Sequence, residues 1–189
     1  MEKKDFQITR LCHKMAQPFI REGDLCVDAT MGNGHDTAFL CRSVGPSGQV
    51  LAFDIQERAL EHTKERLERE DLHNCRLICD SHENLAEYVR PETAGCVMFN
   101  LGYLPGGDHA LATRPDTTLR ALGAALKAVR RGGAILLCIY SGGDSGYAER
   151  DALLHWLEEL DPRQYLVMLT RYWNRKNDPP IPVLVIRLE

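Results

Sequence analysis

Several short apolar runs in this chain end in side chains that could do chemistry. Leu25-Cys26-Val27 ends in Asp28, and Gly32-Asn33-Gly34 follows within a few residues. Gln49 to Phe53 ends in Asp54, twenty residues after Gly34. Arg76 to Cys79 ends in Asp80-Ser81-His82, and Gly95 to Phe99 ends in Asn100-Leu101-Gly102-Tyr103. Glycines at a sharp strand-to-helix turn adopt unusual dihedrals and leave no Cβ between backbone and ligand. A carboxylate placed like Asp54 can accept hydrogen bonds from both hydroxyls of a ribose. Together, the spacing and the two acids describe a nucleoside-binding half-site.

The kind of nucleoside follows from what the turn lacks. A dinucleotide fingerprint needs a third glycine, and Thr37 stands there instead. Asp28, just before the turn, would repel a pyrophosphate but could help hold a cationic or zwitterionic group. S-adenosylmethionine carries an ammonium and a sulfonium and no phosphate. The D-x-x-x-G-x-G pattern with a strand-terminal acid therefore resembles motifs I and II of class I methyltransferases. The cofactor set expected on this reading is Asp28, Gly32, Asn33, Gly34, His35, Asp36, Asp54, Gln56, Ser81, His82 and Asn100. Gln56 would touch ribose or base, and the residues after the third strand would meet adenine. The plainer alternatives are a structural glycine turn, helix capping by Ser81 and a hydrated His82.

The elements that must position these residues alternate. The patterning predicts an amphipathic helix over 5–20 and strands over 25–28, 49–54, 76–79, 95–100 and 134–140. Between them fall helices over about 35–44, 56–70 (Leu60, Thr63/Lys64 and Leu67 inward), 83–89 and 117–130, the last capped by Arg131-Gly132-Gly133. A helix over 147–160 precedes strands 164–170 and 182–188, which have no helical pattern between them and should pair antiparallel. This is an α/β chain whose mostly parallel sheet carries helices on both faces. The seven-strand ending matches the Rossmann-like class I methyltransferase fold, with expected strand order 3-2-1-4-5-7-6. Residues 1–189 are expected to form one domain, residues 1–22 being an N-terminal helix that packs on the sheet.

Composition sets outer bounds. With 189 residues, 44% of them hydrophobic and 26% charged, the chain suits a globular fold with a full core. No apolar run approaches a membrane span, and the first twenty residues lack a signal-peptide core. Seven scattered cysteines without a C-x-x-C argue against a zinc ribbon or a redox pair, so no metal is expected and the reading is cytoplasmic. Cys75 and Cys79 look like core residues of a strand. A net charge of −4 excludes nucleic-acid binding by bulk charge and leaves two local basic stretches, Arg114–Arg131 and Arg163–Lys176.

Two further resemblances sharpen the reading. Asn100-Leu101-Gly102-Tyr103 resembles the [DNS]-P-P-[YF] motif of amino-methyltransferases, with both prolines missing. In that motif an amide oxygen and a backbone carbonyl orient the target amine and the aromatic ring packs on the substrate. DATMGNGHDT, NLGYLPGGDH, TTLRAL and YWNRKNDPPIPVLVI together resemble the small bacterial proteins once called "putative rRNA methylases", the YtqB or MnmM family. That resemblance covers nearly the whole chain. It implies methyl transfer from S-adenosylmethionine to the aminomethyl nitrogen of 5-aminomethyl-2-thiouridine at position 34, so tRNA is the partner, met at its anticodon region. The implied catalytic residues are Asn100, the Leu101 carbonyl and Tyr103; Asp108 and His109, an acid–base pair in the same loop, could take a proton or fix an amine, or could serve at a helix entry. The implied substrate contacts are Tyr103, His109, Trp173, Arg175, Lys176 and Asn177. Spacing alone stops at an S-adenosylmethionine-dependent methyltransferase, with nitrogen as one acceptor it allows, and leaves the oligomeric state open, a homodimer included. The competing readings are methylation of rRNA or a small molecule, a nicotinamide-dependent oxidoreductase, and a non-catalytic S-adenosylmethionine- or RNA-binding module.

Overall fold

The structure is a computed structural model that describes residues 7–102, 113–141 and 146–188. Its sheet has seven strands: β1 (Leu25–Asp28), β2 (Gln49–Asp54), β3 (Cys75–Cys79), β4 (Ala94–Asn100), β5 (Val129–Ile139), β6 (Tyr165–Leu169) and β7 (Ile181–Arg187). The spatial order is β3-β2-β1-β4-β5-β7-β6, as expected. The first five strands run parallel, whereas β7 pairs antiparallel with both β5 and β6. The helices are α1 (Ile8–Ala16), α2 (His35–Val44), α3 (Glu57–Arg69), α4 (Leu85–Tyr88), α5 (Pro115–Ala128) and α6 (Gly146–Glu158). Short 3-10 turns at Gln17–Phe19 and His82–Asn84 extend α1 and precede α4.

Side chains alternate across a strand, so each central strand feeds two cores. Val27, Phe53, Phe99 and Leu137 face Leu122 and Ala125 of α5 and Leu153 of α6. Cys26, Val50, Met98 and Leu136 face Cys12 and Ala16 of α1 and Leu40 and Val44 of α2. A parallel sheet needs both faces covered, which is why its strands are near-continuous apolar runs. No helix among the described residues is long and apolar enough to cross a membrane.

Three local expectations are corrected. The sequence Arg130-Arg131-Gly132-Gly133 is part of β5, not a helix cap. The register against β4 shifts between Ala94 and Cys96, and Gly132 takes φ +68° in the irregular segment. A Cβ on Gly133 would lie 2.7 Å from the Gly95 carbonyl oxygen, so glycine permits this close approach. On α3 the inward side chains are Ala59, Thr63 and Leu67, whereas Lys64 is exposed and lies 4.0 Å from Glu68. Cys79, at the end of the edge strand β3, is exposed rather than buried.

Candidate active site

In an open parallel sheet a ligand sits beyond the carboxyl ends of the strands, where the strand order reverses. Here that point lies between β1 and β4. The ends of β1, β2 and β4 bring Asp28, Asp54 and Asn100 to one edge. Backbone hydrogen bonds carry the chain across this edge: Ala29 N–H donates to Met98 O at 2.9 Å and Met31 N–H to Phe53 O at 2.9 Å.

The turn itself needs its glycines. Gly32 and Gly34 have φ +50° and +74°, the left-handed region that side chains with a Cβ seldom enter. Gly32 N–H donates to Asp54 Oδ2 at 3.1 Å, and Gln56 N–H donates to Asp54 Oδ1 at 3.0 Å. Asp54 is half-buried, and this burial raises its pKa against the backbone N–H groups of Gln56, Gly32 and Ile55, which lower it. Each oxygen keeps acceptor capacity for a further donor. Ile55, directly after it, is 53% exposed, an apolar surface beside the acid that the sequence reading did not single out.

Several residues of the expected cofactor set turn out to brace the turn. Asp28 is completely buried and accepts from Thr37 Oγ1 at 2.6 Å and Thr30 N at 3.1 Å. Burial, reinforced by the nearby Asp36, pushes its pKa up to about 7. A ligand cannot reach a group with no exposed surface, so the expected contact to a cationic ligand group is replaced by a structural role. Asn33 and His35 are tied to α3. Asn33 Oδ1 lies 3.1 Å from His62 Nδ1, and Arg66 donates to the Asn33 carbonyl at 2.7 Å. Arg66 also lies 3.0 Å from His35 Nε2, and burial, followed by this cation, lowers the His35 pKa. Thr63, which the sequence showed only as a helix-face residue, donates to the Gly32 carbonyl at 3.1 Å.

Past β3, Asp80 is occupied by Ser81 N, Asn84 Nδ2 and the Tyr88 hydroxyl at 2.7–2.9 Å. Ser81 accepts from Glu83 N at 3.3 Å, so the capping alternative is the one seen. His82 is not a hydrated surface residue. Its ring meets Phe99 edge-on at 6.1 Å, and burial lowers its pKa. Its Nε2 is buried with no hydrogen-bond partner among the described residues.

Asn100 is held from two sides. Its N–H donates to Thr30 Oγ1 at 2.7 Å, and its Nδ2 donates to Asp36 Oδ2 at 3.4 Å. Leu101 is buried, and its N–H donates to Cys138 O at 3.0 Å. Tyr103, Asp108 and His109 lie outside the described residues, but Gly102 and Thr113 on either side are described. Gly102 N–H donates to Thr113 Oγ1 at 3.1 Å, and Thr113 N–H donates to Gly102 O at 3.0 Å. Buried Glu149 of α6 accepts from Thr113 Oγ1 and Thr118 Oγ1, both at 2.7 Å. That clasp escaped the sequence reading, because no motif links residues so far apart. Glu149→Ala leaves the buried Thr118 hydroxyl without an acceptor and should cost about 1–3 kcal/mol. Urea unfolding measures it, and an unchanged midpoint would mean that the clasp carries no stability.

The basic surface is smaller than the sequence suggests. Arg120 pairs with Glu83 at 2.6 Å, Arg130 with Asp24 at 3.0 Å and Arg163 with Asp161 at 2.9 Å. The segment after β6 differs: Trp173 is 94% exposed, and Asn174, Arg175, Lys176 and Asn177 are exposed around it. The Arg175 guanidinium lies 4.8 Å over the Tyr172 ring, and Tyr147 of α6 hydrogen-bonds Asp178 at 3.1 Å.

Known proteins resemble this chain in sequence and fold. A sequence model of the family described as "putative rRNA methylase" matches residues 50–186. The chain is 36% identical, over 94% of its length and 67% of the relative's, to an Arabidopsis thaliana protein named tRNA (mnm(5)s(2)U34)-methyltransferase, chloroplastic. Among solved structures, a "putative rRNA-methylase" of Clostridium thermocellum is similar with a TM-score of 0.91 and 43% identity, covering 94% of this chain and 96% of that one. A "putative methyltransferase" of Streptococcus mutans, solved in complex with SAH, is similar with a TM-score of 0.87 and 36% identity over the full length of both chains. The sheet order is that of class I methyltransferases, and with a family match across most of its length the chain belongs to the "putative rRNA methylase" family.

Proposed function

We propose that the protein transfers a methyl group from S-adenosylmethionine to the exocyclic amine of 5-aminomethyl-2-thiouridine at the wobble position of tRNA. The observation that carries this reading is Asn100, held by Thr30 at the end of β4, at the reversal of strand order and on the same edge of the sheet as Asp54. The names of the relatives support the same substrate class and cofactor.

The residues present fit the cofactor. Asp54 has acceptor capacity left for two ribose hydroxyls, and Ile55 offers an exposed apolar face beside it. When bound, S-adenosylmethionine supplies an electrophilic methyl on a sulfonium. The chain's own residues must then hold a neutral amine in line with that methyl, since an ammonium has no lone pair. The Asn100 side-chain oxygen and the Leu101 carbonyl accept the amine's N–H bonds and aim its lone pair, and Tyr103 packs on the uracil. Positioning of this kind is the largest contribution a site without a strong nucleophile can make. Trp173, Arg175, Lys176 and Asn177 form the tRNA-facing lip, by stacking and phosphate contact.

Two results test this reading. Nucleosides from tRNA of cells lacking the protein, measured by mass spectrometry, should accumulate 5-aminomethyl-2-thiouridine and lose its N-methylated product. An unchanged profile overturns the substrate. Asp54→Ala should weaken S-adenosylmethionine binding by about 1.5–3 kcal/mol, the cost of losing charge-assisted hydrogen bonds. Unchanged affinity by calorimetry in a folded variant removes Asp54 from the site. A thermal shift with S-adenosylmethionine and S-adenosylhomocysteine, and none with NAD or NADP, separates the methyltransferase from the oxidoreductase reading.

A further inference from the structure

We propose that His13, on the N-terminal helix, is a positioning residue that sets which way the Asn100 amide faces, acting through Asp36. The two ends of an amide differ in one respect that matters here: the nitrogen donates and the oxygen accepts. A carboxylate only accepts, so Asp36 Oδ2, 3.4 Å away, selects the Asn100 nitrogen. The Asn100 oxygen is thereby turned away from Asp36 and left to receive a substrate N–H. Had a donor stood at this place, the amide would turn over and offer its NH2 to the amine's lone pair, the pair needed for attack.

Asp36 can select only if it is itself held. It is 7% exposed, and its other oxygen, Oδ1, lies 2.6 Å from His13 Nε2, which donates to it. The imidazole in turn lies flat on Phe39, ring centroids 4.0 Å apart and planes within 5°. Phe39 and Asp36 belong to α2, so the same helix supplies the carboxylate and the surface that fixes the plane of its donor. Thr30 Oγ1 fixes the Asn100 backbone independently, at 2.7 Å, which leaves side-chain rotation as the freedom for His13 and Asp36 to settle. Three elements thus meet in one line of hydrogen bonds: α1, the start of α2 and the end of β4.

The kinetic part of this inference rests on the proposed amine methylation; the orientation part does not. His13→Phe keeps a flat ring on Phe39 and removes the donor, and His13→Gln returns a donor near the same place. The Asn100 side-chain amide is followed by 15N NMR in the protein alone, and methyl transfer to tRNA carrying 5-aminomethyl-2-thiouridine is measured alongside. In His13→Phe the Asn100 amide signals should shift or double, kcat should fall about 10-fold for one lost hydrogen bond, and the KM for S-adenosylmethionine should stay within about twofold. His13→Gln should restore most of both. Asp36→Asn, which is nearly isosteric and offers donor as well as acceptor, should disturb the same signals and serves should His13→Phe not fold. Unchanged Asn100 signals in either folded variant overturn the proposal. A wild-type protein that methylates no such tRNA overturns the amine reading instead, while the amide signals still decide the role of His13.

Discussion

Asn100→Ala should lower methyl transfer by about 100-fold, the usual loss when one group that meets the transition state is removed. Affinity for S-adenosylmethionine should stay near that of the wild type, because the proposed ribose contact is Asp54 on β2, two strands away. The fold should survive as well. The Asn100 backbone N–H keeps its bond to Thr30 in an alanine variant, and Asp36 keeps its bond to His13. A loss confined to turnover marks an interaction made in the transition state rather than in the bound ground state. Single-turnover transfer of labelled methyl, paired with calorimetry of cofactor binding, reads the two separately. Full activity in the variant removes Asn100 from the reaction.

Gly34→Val should leave little folded protein. A non-glycine residue held at φ +74° costs about 1–3 kcal/mol, and a β-branched one lies at the upper end. The added Cβ would also stand 2.9 Å from Thr63 Cγ2 and Oγ1 and 3.1 Å from its Cα. A flexible side chain could move aside, but the Cα belongs to α3, which holds the turn through Thr63, His62 and Arg66. The sequence alone suggests that a side chain here fills the cofactor's space; the structure places it against α3 instead. Denaturant unfolding and cofactor binding separate these causes. A Gly34→Val protein of normal stability that binds no cofactor would restore the first explanation and remove the second.

Much of the fold was legible because buried strands and their turns leave strong marks. β1 and β2 are apolar runs closed by an acid, and α2 runs from the glycine turn to Gly45-Pro46. The start of β5 was hidden, since two arginines and two glycines after a helix look the same whether they cap it or enter a strand through an irregularity. At the site, a strand-terminal acid is visible in sequence, but the direction it faces is not. Asp28 and Asp54 look alike there; one is enclosed by Thr37 and Thr30, and the other keeps room for further donors. Asn33 and His35 follow the same rule, since their partners His62 and Arg66 lie on a helix whose docking no local pattern gives. His13 and Glu149 belong to no motif, because their roles exist only once α1 and α6 have packed beside the site.

The central claim is that the acceptor is an amine presented to Asn100. It is tested most directly by methyl incorporation from labelled S-adenosylmethionine, catalysed by the purified protein, into two preparations of one tRNA. One carries 5-aminomethyl-2-thiouridine at the wobble position and the other carries unmodified uridine there. The account predicts incorporation into the first, recovered as N-methylated nucleoside after digestion, and none into the second. Equal incorporation into both, or methyl found on a base ring or ribose, would contradict it.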